Sequence, residues 1–122
     1  MKSRENLVRL KQFQVNERSR RIDQLNTMIA EFERMAVELD AQVAAEEAKA
    51  GITDQNHFAY PTFAKAARLR RDNLRISQAE LVQQREQALF DLAEAEGELR
   101  KAEALETRDG RRGDGAPRVA AG

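Results

Sequence analysis

His57 is the only histidine in the chain, and a lone histidine is where acid–base chemistry would be sought first. Its surroundings offer that chemistry little. There is no cysteine, which removes disulfides, thiol catalysis and cysteine-ligated metal. No glycine-rich phosphate loop accompanies it. A metal site needs several converging ligands, and near His57 only Asp54 qualifies. The other carboxylates are interspersed with Arg and Lys and read as i,i+4 pairs and solvated flanks, not as an acid/base pair. His57 therefore reads as a structural or solvent-facing turn residue, with a partner contact as the second reading. No catalytic residue, metal ligand or cofactor is expected, and no enzymatic activity.

Contact chemistry is better represented. Phe58, Tyr60 and Phe63 are half of all the aromatics (five Phe and one Tyr in the chain). They read either as a small plug closing the end of a coiled coil or as an exposed anchor patch of the kind that dominates interfaces; the two readings are compatible on a thin element. Immediately downstream, Lys65, Arg68, Arg70, Arg71 and Arg75 stand against Asp72 alone. Arg68, Arg71 and Arg75 recur at helical spacing and share a flank. A solvated face and an acidic protein partner are the main readings. Nucleic acid is disfavoured, because formal charge cancels at 21 basic against 21 acidic residues and the basic stretch is short. A third candidate is the N-terminal segment, where Lys2, Arg4, Arg9, Lys11, Arg18, Arg20 and Arg21 face only Glu5 and Glu17. Leu7, Leu10 and Phe13 lie in that run. Their apolar face is too interrupted for a membrane-surface helix, so docking to a protein is the better reading. The tripeptide Arg112-Gly113-Asp114, in a polar glycine-rich tail, reads as chance.

The elements that must hold these residues are helices. At 41% apolar and 34% charged residues, with no Trp, the chain is too thin in large apolar groups for an ordinary globular core and suits a long helix or coiled coil. Residues 3–50 contain neither Pro nor Gly and read as one helix. Ser3 can cap it, although Asn6 stands where a full capping box wants Glu or Gln. Ile22, Ile29, Ala36 and Val43 form one seven-spaced ladder, and Leu25, Phe32 and Leu39 a second. Upstream the ladder weakens, since Lys11 and Arg18 occupy apolar positions, and that end is expected to pair loosely or meet another protein. Residues 51–61 interrupt the pattern: Gly51 can take the left-handed turn that ends a helix, Thr53, Asp54 and Asn56 favour turns, and Pro61 is tolerated at a helix start. A second helix is expected over 62–107, with Ala67, Leu74, Leu81, Ala88, Ala95 and Ala102 as its ladder and Leu92 and Leu99 as a partial second. Gly97 costs this helix about 1 kcal/mol, so its distal part is expected to fray or to need a partner. Residues 108–122 carry Gly, Pro and alternating charges and are expected to be disordered.

Two matched helices about a central break imply an all-α, antiparallel two-helix coiled-coil hairpin. Pairing Leu39 with Leu74, Phe32 with Leu81 and Leu25 with Ala88 sets large residues against small or medium ones. Arms of about 45 residues give a length of roughly 70 Å. One continuous helix paired in a parallel dimer is the rival, and Gly51 and Pro61 argue against it. No signal peptide or membrane span is read.

The string His57-Phe58-Ala59-Tyr60-Pro61-Thr62-Phe63-Ala64-Lys65-Ala66-Ala67, followed by Arg70-Arg71-Asp72-Asn73-Leu74, resembles the flagellar export protein FliJ family of alphaproteobacteria. The opening Met1-Lys2-Ser3-Arg4-Glu5 with Leu7, Arg9, Leu10 and Lys11, and the string Ala30-Glu31-Phe32-Glu33-Arg34-Met35-Ala36, are similar to that family as well. The resemblance covers about residues 1–105. It implies a hairpin similar to the central stalk of rotary ATPases and a non-enzymatic adaptor of flagellar type III export. Its partners would be the ring-forming export ATPase FliI, the export-gate protein FlhA and other export chaperones. The location implied is the cytoplasm, peripheral at the inner-membrane flagellar base. By analogy with the stalk, the hairpin end would face the gate, through Phe58, Tyr60, Phe63, Arg68 and Arg71. The paired chain ends would meet the ATPase, through Arg4, Leu7, Leu10 and Phe13. The chain would be a monomer or weak homodimer. The alternative from another class is a self-associating structural scaffold, a four-helix bundle.

Overall fold

In the computed structural model, backbone is described for residues 2–121 and side chains for residues 3–110. Two helices, α1 (Lys2–Ala50) and α2 (Thr62–Ala121), make an all-α antiparallel hairpin, with no strand among the described residues. The break at 51–61 falls where propensity and turn chemistry place it, whereas α1 begins at Lys2, so Ser3 lies inside its first turn and does not cap it. Of the segment expected to be disordered, 108–122, only residues 108–110 have described side chains. Arg108, Asp109 and Gly110 continue α2, so the paired region reaches past the expected end at Thr107. One long-range contact holds it: the Arg4 guanidinium donates to the Asp109 carboxylate at 2.8 Å, tying that turn of α2 to α1.

The chain divides into two units, Gln24–Arg85 and Met1–Asp23 with Glu86–Gly122. In the first, Leu25, Ala36, Leu39, Val43, Tyr60, Ala64, Ala67 and Leu81 are buried, and Leu39, Val43, Tyr60, Ala64 and Ala67 form one cluster with Ile52 and Leu74 packed against it. Large residues of α1 meet alanines of α2, which brings the helices close; burying one such leucine is worth about 2 kcal/mol. Ile29, Phe32 and Leu74, expected in the seam, are half-buried.

In the second unit the buried residues are Ile22, Ala88, Ala95 and Ala102. Residues 3–21 contribute none, and Leu7, Val8 and Val15 are half-buried. This is the thin core that follows when Lys11 and Arg18 occupy seam positions. α2 passes through Gly97 unbroken, and a Cβ built there would meet only the end of the Arg100 side chain, at an ordinary 3.7 Å. Gly97→Ala is therefore expected to stabilise the protein by about 0.5–1 kcal/mol, read as a higher urea midpoint by circular dichroism; an unchanged or lower midpoint would count against the packing described.

Candidate functional site

The candidate site is the turn at 51–61 with the first turns of α2, and its shape is set by backbone hydrogen bonds. Gly51 adopts a φ of 69°, open to glycine and costly for other residues, and its N–H donates to the Glu47 carbonyl at 2.9 Å. That closes α1 with the single-bond left-handed cap. The Asp54 carboxylate accepts from the Asn56 N–H at 2.9 Å. Asp54 and His57 carbonyls accept from the His57 and Tyr60 N–H groups at 3.1 and 3.0 Å. The His57 Nδ1 accepts from the Ala59 N–H at 3.0 Å, and the Pro61 carbonyl takes the Lys65 N–H at 3.1 Å to start α2. His57 thus organises the turn. Among the described residues no group of three His, Cys, Asp or Glu is placed to hold a metal ion.

This turn separates the three aromatics. Tyr60 points inward and is buried in the core cluster; it braces the tip where the sequence offered it as a contact. Phe58 is 97% exposed and Phe63 56%. The Phe58 ring stacks on that of His57, centroids 4.8 Å apart and planes at 22°. The plug is therefore present in Tyr60, while Phe58 and Phe63 are left exposed. Leu69, 63% exposed, borders a shallow groove of about 470 Å³ that Gln55, Thr62, Lys65 and Asp72 also line.

The arginines have a similar fate. Arg68 donates to the Tyr60 hydroxyl at 2.9 Å and to Glu47 at 3.0 Å, and the Tyr60 hydroxyl donates to Glu47 at 2.8 Å. Among the described residues no buried side-chain nitrogen or oxygen is left without a partner, which is what such a half-buried triad requires. Arg71 reaches Asp40 at 2.6 Å and Asp72 at 2.9 Å. Arg75 pairs with Glu33, Gln78 donates to the same carboxylate at 3.0 Å, and Arg85 donates to Asn26 at 3.0 Å. Asn26, Glu33, Asp40 and Glu47 are spaced by seven along α1, so these are rungs along one flank. The charge that Arg68 and Arg71 were expected to offer an acidic partner is met inside the hairpin instead. The corresponding expectation for the carboxylates also shifts: Glu33, Asp40 and Glu47 pair across helices, while within-helix pairs occur at i,i+3, as in Glu17–Arg20 and Glu46–Lys49. The seven-residue spacing beside the core ladder is the signal that could have disclosed the rungs.

Hydrogen bonds from Tyr60 and then Arg68 hold the Glu47 carboxyl below its ordinary 4.5, and bonds from Arg75 and then Gln78 do the same for Glu33. Arg68, Arg71 and Arg75 are pushed upward, each mainly by a hydrogen bond, led by Tyr60, Asp40 and Glu33 respectively. A carboxyl depressed in the folded state stabilises it above the unfolded value and loses that contribution as pH falls through the folded value. The urea midpoint is expected to hold from neutrality to about pH 5 and to fall below 4.5. The double variant Glu33→Gln/Glu47→Gln should show a shallower acid limb. Parallel limbs would contradict these rungs.

At the other candidate surface, Arg4 is engaged with Asp109, Leu7 is half-buried, and Leu10 and Phe13 are exposed. No helix among the described residues is long and apolar enough to cross a membrane. Set against protein-family models, curated proteins and solved structures, the chain matches none.

Proposed function

We propose that the chain is a non-enzymatic coupling adaptor of a flagellar type III export apparatus, docking between the export ATPase FliI and the export gate FlhA in the cytoplasm at the flagellar base. The observation that carries this reading is a fully exposed phenylalanine, Phe58, on a turn held by six hydrogen bonds, with Phe63 also exposed at the start of α2. An apolar ring on a pre-ordered turn loses little entropy when a partner covers it. The strings at 30–36 and 57–74 supply the identity of the partners. Gate contact is assigned to Phe58 and Phe63, with Tyr60, Arg68 and Arg71 holding their geometry. ATPase contact is assigned to Leu10 and Phe13, with Leu7 and Arg4 beneath them. Mechanistically this is docking of a helix surface and a tip, with no bond made or broken by the chain. The test is direct binding of the purified chain to the ATPase and to the cytoplasmic part of the gate from the same source, together with restoration of motility in a strain lacking the chain. Binding to both and restored swimming are expected. Binding to neither would end the proposal.

A further inference from the structure

Two side chains of the turn at 51–61 each hold a backbone N–H two residues ahead. The Asp54 carboxylate accepts from the Asn56 N–H at 2.9 Å, and the His57 Nδ1 accepts from the Ala59 N–H at 3.0 Å. Both copy the side-chain turn that short polar acceptors make. The acceptors differ in one respect. A carboxylate keeps its charge down to acid pH, whereas histidine is the side chain that ordinarily gains a proton between pH 8 and 5. To accept from Ala59, Nδ1 must be bare and the ring neutral, with its one proton on Nε2. In an imidazolium both nitrogens are donors, so Nδ1–H and the Ala59 N–H would meet donor to donor and the bond is lost. The ring that must then turn away is the one on which Phe58 stacks, with centroids 4.8 Å apart.

We propose that the His57 imidazole is a proton-operated latch of the tip. Neutral, it fixes residues 57–59 and the seat of the Phe58 ring; protonated, it releases both while α1 and α2 stay paired. The chain has one histidine and no cysteine, so no other side chain ordinarily changes charge between pH 8 and 5. The charged and titratable groups on the elements that meet at the turn are Asp54 within it, Glu46, Glu47 and Lys49 at the end of α1, and Tyr60, Lys65, Arg68 and Asp72 leading into and along α2. Carboxylates, phenols, amines and guanidinium groups ordinarily keep their charge state over that interval. The pairs Glu46–Lys49, Glu47–Arg68 and Asp72–Arg71 and the Tyr60–Glu47 hydrogen bond therefore persist, and the helix ends with them. The inference concerns the free chain and does not rest on the export reading. If both hold, mild acid weakens the gate contact through Phe58 and leaves the contact through Leu10 and Phe13 unchanged.

The experiment is nuclear magnetic resonance on the isotope-labelled full chain, titrated from about pH 8 to about pH 5, the interval of histidine chemistry. At the alkaline end the imidazole nitrogen shifts should show a bare Nδ1 and a protonated Nε2. As pH falls, the Ala59 amide and the Phe58 ring should move with the midpoint read from the His57 ring itself. Exchange of the Ala59 amide with water, corrected for its intrinsic pH dependence, should rise about fivefold, the usual net worth of one hydrogen bond. The amides of Val43 and Ala67, in the core, should not move. His57→Asn keeps an acceptor where Nδ1 stood but takes up no proton, so Ala59 should stay held throughout. His57→Ala should leave Ala59 released at both ends. A protonated Nδ1 at pH 8 overturns the proposal. So does an Ala59 amide that ignores the ring's titration, a titration of Ala59 that persists in His57→Asn, or native protection in His57→Ala. These readings involve no ATPase or gate, so they fail or succeed apart from the function proposed above.

Discussion

Tyr60→Ala is expected to lower stability by about 3–4 kcal/mol, the range for emptying a buried aromatic site, and to reduce the cooperativity of the urea transition. The ring lies in the cluster with Leu39, Val43, Ala64 and Ala67. Two of those neighbours are alanines, with no side chain able to move into the gap. Removing the ring also takes the hydroxyl that donates to Glu47 and accepts from Arg68. Tyr60→Phe separates the two contributions. It keeps the packing and should cost about 1 kcal/mol, the usual net worth of one hydrogen bond, and it should make the acid limb of stability shallower because the largest cause of the depressed Glu47 value is gone. If Tyr60→Ala proved as stable as the native chain, the tip would not be built on this ring. If Tyr60→Phe cost as much as Tyr60→Ala, the packing argument would be wrong and the triad would carry the site.

The double substitution Phe58→Ala/Phe63→Ala has the opposite signature. Neither residue is in the core, and neither forms a side-chain hydrogen bond, so helicity and urea midpoint should stay within about 0.5 kcal/mol of native, as for surface changes generally. Under the function proposed above, binding to the gate should weaken at least about tenfold, since truncating a central aromatic anchor costs roughly 2 kcal/mol or more. Binding to the ATPase should be unaffected. Isothermal titration with each partner reads both quantities. Undiminished gate binding would remove the tip from the interface, while loss of both interactions together with lost helicity would mean that the two rings serve the fold.

How much of this was readable beforehand differs from residue to residue. Gly51 and Pro61 disclosed the turn because glycine alone takes the left-handed conformation cheaply and proline fits no helix interior, and Gly51 indeed takes a positive φ. The seven-spaced ladder located the seam because period and burial are directly linked: Ile22, Leu25, Ala36, Leu39 and Val43 are all buried. Tyr60 could not be sorted from Phe58 and Phe63 in the same way. In a turn no period applies, and the choice of which ring faces inward is made by hydrogen bonds at Asp54 and His57 that fix the backbone. The arginines went unread for another reason. Arg68, Arg71 and Arg75 mark a flank by spacing, but whether that flank meets solvent or carboxylates depends on which side of α1 lies opposite, and that is a property of the pairing.

Everything assigned to the tip requires that a single chain reverse direction at 51–61. The most direct measurement is the distance between spin labels on cysteines placed at positions 26 and 85, in a chain that has no other cysteine, diluted with an excess of unlabelled protein. Asn26 and Arg85 are hydrogen-bonded at 3.0 Å across the hairpin, so the labels are expected within about 20 Å, allowing for the linkers of the two labels and the reach of side chains. An uninterrupted helix would hold them roughly 90 Å apart at its rise per residue, and a distance of that order would contradict the account.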